Sequence, residues 1–218
     1  MRAFLAGTVV VIALAVAGCG GGGGGAAERL LNHSVNAAES ARSVHLTGRL
    51  HGNAQLDMTI VRGKGAKGSI TDKGQTAEVV IVGTHAYQRA GAAFWAQALC
   101  RAGCPRSREL AGKWIESSTT DPEFKIFALL SNLTSFLHSQ TSGFGRLVAS
   151  PAAMWNGRMI HEISDTATRD TFFVEATGTP YPFRLDASNG TFRFDKWNAP
   201  ATVAPPSGPV FFHMPPKG

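Results

Sequence analysis

Cysteine, charge and long apolar runs are all scarce in this chain. Three cysteines in 218 residues are too few for a disulfide-built miniprotein and too few for a four-thiolate zinc site. Charged residues make up 17% of the chain, and no paired carboxylates stand out for acid–base chemistry. No Gly-x-Ser-x-Gly elbow occurs, and Gly112-Lys113 is followed by Trp114, so there is no phosphate-binding loop. His161-Glu162-Ile163-Ser164-Asp165 lacks the second histidine of a zinc-protease helix and reads as a strand. His45 and His51 share a strand face but stand roughly 20 Å apart, too far for one metal ion. The net charge of +6 comes without a basic patch interleaved with aromatics, so nucleic acid is not an expected partner. These absences argue against an enzyme, a metal site and a bound cofactor. At 44% hydrophobic residues, the chain is not disordered throughout.

The long apolar run that does occur lies at the N-terminus. Arg2 is followed by an apolar stretch from Ala3 to Ala17, then Gly18-Cys19. A basic start, a short apolar segment and a small-residue site are the marks of a secretory signal peptide; fifteen or so residues are short for a membrane span. Cys19 directly after Ala17-Gly18 is similar to a bacterial lipobox, in which the thiol is acylated and becomes the first residue after cleavage. Loss of residues 1–18 removes Arg2 alone among the charges, so +6 over 218 residues becomes +5 over 200. Palmitate-type chains on Cys19 would hold the protein to the outer side of the cell membrane, since stable anchoring takes more than one acyl chain. Residues 19–27 then form a tether, in which Gly20 to Gly25 are expected to be a flexible coil.

Cys100 and Cys104 enclose Arg101-Ala102-Gly103. In an exported chain the expectation is a structural disulfide, worth about 2 kcal/mol for so small a loop. A redox pair would ordinarily have two intervening residues.

The body alternates. Glu28 to Arg42 carries Leu30, Leu31, Val35, Ala38 and Ala41 on one helical stripe. Val44, Leu46 and Leu50 point to one side of a strand, as do Leu56, Met58 and Ile60 in the next. Residues 63–68 read as a turn, Ser69 to Thr71 begins a strand, and Thr76 to Val82 is the most β-prone run. His85 to Arg89 continues the meander, and Phe94 to Cys100 suits a short helix. Asp121-Pro122-Glu123 is a helix start, and the apolar stripe Ile126, Phe127, Leu129, Leu130, Leu133, Phe136, Leu137 predicts one helix to about His138. Strands are expected at Met159–Asp165, Thr171–Glu175, Phe183–Asp186 and Thr191–Trp197, with hairpin turns at Asn156-Gly157 and Asn189-Gly190. Residues 199–218 are Pro-rich and aperiodic, which predicts a tail with little fold of its own.

The expected architecture is α+β: a large curved antiparallel sheet, or half-barrel, with helices on its concave face. Ser43-Val44-His45-Leu46-Thr47-Gly48, Leu56-Asp57-Met58, Gly83-Thr84-His85-Ala86-Tyr87, Phe94-Trp95 and Gly112-Lys113-Trp114-Ile115 carry a resemblance behind the Cys19 lipobox. In order and spacing they resemble the actinobacterial LppX/LprG-type lipoproteins, a family with a LolA-like fold. The resemblance spans residues 28–198 and implies a half-open barrel whose hydrophobic cavity takes acyl chains of lipids or glycolipids, for carriage or presentation in the envelope. The Cys100–Cys104 insertion and the tail are departures from it.

A lipid carrier needs apolar area rather than reactive groups, since burial yields about 25 cal/mol per Å². Phe127, Leu130, Leu133 and Leu137 are the expected helical wall of such a cavity, with Met58, Ile60, Val79 and Ile81 opposite. The competing expectation is that the same residues pack into a solid core. The protein would then be an envelope interaction module that binds a protein or wall polymer through its loops and Phe211-Phe212. An envelope hydrolase ranks third. The body is expected to be a monomer.

Overall fold

The computed structural model describes residues 23–50, 52–99, 105–120 and 125–211. Cys19, the Cys100–Cys104 pair, His51, the Asp121 helix start and Phe212 lie outside them.

The chain opens with helix α1 (Gly23–Ser40), followed by a five-stranded meander: β1 (Ser43–Leu50), β2 (Gln55–Val61), β3 (Gly65–Asp72), β4 (Gln75–Val82) and β5 (His85–Ala90). Two short helices, α2 (Ala92–Leu99) and α3 (Pro105–Leu110), precede β6 (Trp114–Ser118). Helices α4 (Lys125–Leu130) and α5 (Leu133–Thr141) lead to β7 (Leu147–Ala149), β8 (Ala153–Trp155), β9 (Arg158–Asp165), β10 (Thr171–Glu175), β11 (Pro182–Ala187), β12 (Gly190–Asp195) and β13 (Val210–Phe211). All thirteen strands form one sheet in the order β13-β6-β5-β4-β3-β2-β1-β12-β11-β10-β9-β7, with β8 also on β9. Every pairing is antiparallel except β13 on β6. Among the described strands none joins β7 to β13, so the sheet is unclosed.

Period-2 alternation decides which face is inner. Val44 and Leu46, then Leu56, Met58 and Ile60, then Val79 and Ile81 are all buried on one side. Ala27, Leu31, Val35 and Ala38 of α1 and Phe127, Leu130, Phe136 and Leu137 of α4 and α5 pack on them, together with Phe172, Leu185, Phe192 and Phe194 from the other half of the sheet. At the opposite end of the same inner face Trp95, Phe94 and Leu110 cover Ala77, Ala90 and Ile115. Curvature needs small inner residues where strands approach closely. At Gly68 a Cβ would lie 1.9 Å from the Asp57 carbonyl, so no larger residue fits. Gly65, at φ +120°, is equally confined by the Ile81 carbonyl.

Several sequence expectations need correcting. Helix α1 starts at Gly23, so part of the glycine run is helical rather than coil. Residues 65–68 belong to β3 and not to a turn. The single helix predicted to His138 is two, because Asn132 leaves the helical region (φ −136°, ψ 109°) and its side-chain carbonyl accepts from the Ser135 N–H, capping α5. Asn156-Gly157 does form a turn with both residues at positive φ, but Gly190 pairs with Ala187, so Ser188-Asn189 make the other hairpin turn. Helix α3 and strands β7 and β8 have no counterpart in the sequence reading, being only six, three and three residues long. The tail, expected to have little fold of its own, carries no helix or strand over residues 199–209 and adds only the two-residue strand β13, which pairs with β6.

Candidate functional site: a cavity at the rim of the sheet

A cavity of about 410 Å³ opens where the C-terminal end of α1 meets the rim of the sheet. That volume lies in the range of about 300–1,000 Å³ usual for small-molecule sites. Ala38 and Glu39 of α1 and the start of β1 (Ser43, Val44) form one side. Ile60 and the β2–β3 turn (Arg62 to Gly65) continue it, with Val82 and Gly83 beyond. Opposite stands the break between α4 and α5, Ser131 to Thr134. Val203, from the segment after β12, completes the wall. The buried part of the lining includes Ala38, Val44 and Ile60 with the polar Ser43, Leu133 is half-buried, and Arg62 and Lys64 are exposed.

The mouth groups are partly tied. Glu39 accepts from His138 Nε2 at 3.1 Å, which links α1 to α5, and its backbone carbonyl lies 3.5 Å from Arg62 Nη1. Arg62 and Lys64 are exposed. The break that shapes the far wall is the local consequence of Asn132: a residue that hydrogen-bonds its own backbone ends one helix and caps the next.

The eight residues expected to wall a cavity all belong to, or pack against, one core. Ile60 and Leu133 border the cavity. Met58, Val79, Ile81, Phe127, Leu130 and Leu137 are buried against one another and their neighbours deeper in, away from its lining. This cavity therefore sits at the rim, and a second of about 410 Å³ lies beside His45, Asp57, Glu78 and Val79. Arg62, Lys64, Asn132 and Val203 were not singled out in the sequence. The glycine-rich stretch 63–68 and the proline run after 199 were visible there, but nothing in either said that they border one cavity.

The outer face holds two further groupings. His45 lies between two carboxylates, with Nδ1 2.6 Å from Asp195 and Nε2 2.8 Å from Asp57. Both ring nitrogens are engaged, so neither is left to take a proton from a hydroxyl. Cross-strand register explains the grouping: Asp195 faces His45 directly, while Asp57 faces the next outward-pointing residue, Thr47. Farther round, Trp155 stacks on Phe173 and meets Phe183 edge-on, with Arg158 4.8 Å from the Phe183 ring. Among the described residues no three His, Cys, Asp or Glu side chains converge as metal ligands. No described helix is long and apolar enough to cross a membrane.

An unclosed, curled antiparallel sheet carrying helices on one face is the fold of LppX-type lipoproteins, and comparison with solved structures shows this. LprF from Mycobacterium bovis superposes with a TM-score of 0.54 at 14% identity, over 84% of this chain and 98% of that one. The Mycobacterium tuberculosis lipoprotein LppX superposes with a TM-score of 0.52 at 17% identity, over 83% and 99%. No protein-family model matches the sequence, and no curated protein matches it either. At such identities the likeness is one of fold.

Proposed function

We propose that this chain is a lipoprotein of the cell envelope, anchored through acylated Cys19, whose body binds acyl chains of lipids or glycolipids non-covalently. The observation that carries the reading is the rim cavity, lined by buried Ala38, Val44 and Ile60 and by exposed Arg62 and Lys64, in a fold shared with the lipoprotein LppX. An alkyl chain placed there would be shielded by Ala38, Val44, Ile60 and Leu133, while a head group would remain among Glu39, Arg62 and Lys64. Binding of this kind draws on buried apolar area and requires no reactive group. The role is carriage or presentation, without catalysis.

One observation favours a second reading. Five of the eight expected wall residues (Met58, Ile81, Phe127, Leu130 and Leu137) are buried in the core and border neither cavity described among these residues. A body with so solid an interior suits a module that holds a protein or wall polymer on its surface. Native mass spectrometry of the purified body, with titration by a fluorescent fatty acid, decides between them. Co-purifying acyl lipid and saturable uptake support the first reading. Ligand-free protein with no uptake overturns it in favour of the second.

A further inference from the structure

The segment after β12 has an unusual course. Asn198 and Ala199 are pinned to the start of β1: Asn198 Oδ1 accepts from the Arg42 N–H at 2.7 Å, the Asn198 N–H donates to the Ser43 carbonyl, and the Ser43 hydroxyl donates to the Ala199 carbonyl. The segment is next held at β6, five strands away, where Val210 pairs with Ile115 and Phe211 with Glu116. At about 4.8 Å per strand, that separation is roughly 24 Å along the sheet. Between these pins Val203 forms part of the cavity wall.

No hydrogen bond joins residues 200–209 to any described residue. Pro200, Pro205, Pro206 and Pro209 have no N–H to offer, and the side chains are at most half-buried. Backbone turning points lie at both ends, Asn198 at φ +60° and Gly208 at φ +64°. A segment fixed at two points, free of ladder bonds between them and stiffened by proline can swing as a unit. Lifting it breaks few interactions, because its outer pin is a two-residue strand with exposed side chains.

We propose that residues 199–211 are a strap across the cavity mouth, with Val203 as its closing contact, and that lifting the strap is the step by which ligand enters and leaves. This rests on the acyl-binding reading for its purpose but not for its geometry. The test therefore has two arms. In the first, Ala38→Cys places a thiol at a position that lines the cavity and is 1% exposed. Its rate of alkylation is read by site-resolved mass spectrometry in the full chain, in a chain ending at Ala199, and in the full chain carrying Val203→Gly. At least tenfold faster labelling without the strap, and an intermediate rate for Val203→Gly, are expected. Equal rates in all three overturn the strap, whether or not any lipid binds. In the second arm, stopped-flow mixing with a fluorescent fatty acid should show uptake and release both accelerated at least tenfold by the truncation, with affinity changed less than threefold. Unchanged rates overturn the gating role. Absence of uptake in every form overturns the acyl-binding reading, and the gating role with it, while the labelling arm still decides the strap. Should the truncated chain fail to fold, Val203→Gly in the full chain carries both arms.

Discussion

Phe136 of α5 meets Phe192 of β12 edge-to-face, ring centroids 5.1 Å apart at 78°. The pair closes the core between helix and sheet, and Phe192 lies so near Gly48 that a Cβ there would come within 2.7 Å of the ring. Both phenylalanines are buried. Phe136→Ala should therefore cost about 3–5 kcal/mol of stability, with Phe136→Leu costing less. Urea unfolding followed by circular dichroism reads this directly. A loss below about 1 kcal/mol for the alanine variant would mean that α5 is not part of the cooperative core.

How much of this was legible in the sequence follows from what each signal measures. Alternation at Leu56-Met58-Ile60 and at Val79-Ile81 reports one buried face, and the structure buries those residues on one face. The stripe through Phe127, Leu130, Leu133 and Leu137 also reports a buried face, but it runs on undisturbed across Asn132, so the break between α4 and α5 was invisible to it. The parallel pairing of Val210-Phe211 with β6 joins positions far apart along the chain and leaves no local trace. A void is harder still. Ile60 borders the cavity and Met58, two residues away on the same face, does not; period-2 patterning treats them alike.

The helix break makes its own prediction. Asn132 Oδ1 accepts from the Ser135 N–H at 3.1 Å and satisfies a donor that α5 cannot satisfy internally. Asn132→Ala should cost about 1 kcal/mol, while Asn132→Asp should be close to neutral or slightly stabilising at neutral pH through the helix dipole. Equilibrium unfolding of both variants tests it. Because Asn132 also borders the cavity, the alanine variant should in addition loosen fatty-acid binding, by a smaller factor than a substitution that fills the space.

Asp165 should contribute to the loss of stability at acid pH. Its carboxylate, buried at the end of β9, accepts from the Ala167 N–H at 2.9 Å, the Gly145 N–H at 3.0 Å and the Thr168 hydroxyl at 3.0 Å. These bonds, the Ala167 and Gly145 amides foremost, hold its pKa below the ordinary aspartate value. With the folded pKa depressed below an unfolded value of about 3.9, the contribution is fully present above about pH 4 and is lost as pH falls through the folded pKa. Asp165→Asn should lower the urea midpoint at pH 7, since an amide cannot accept at both of its positions. The gap from the parent chain should narrow as both are titrated to about pH 2. A gap that stays constant across that range would show that the carboxylate charge contributes nothing.

The cavity and the deep core respond to opposite substitutions. Leu133 stands at the first position of α5, partly buried against the core and bordering the void; Leu137, one turn on, is fully buried and away from it. Leu133→Trp places extra ring volume in the space a ligand would use. It should weaken fluorescent fatty-acid binding at least tenfold, which is about 1.4 kcal/mol, with little change in the unfolding midpoint. Leu137→Ala should do the reverse, removing about 2–5 kcal/mol of stability while leaving the affinity of the folded protein nearly intact. If Leu133→Trp binds as the parent does and Leu137→Ala alters affinity instead, the ligand enters between sheet and helices, and the rim cavity is not its seat.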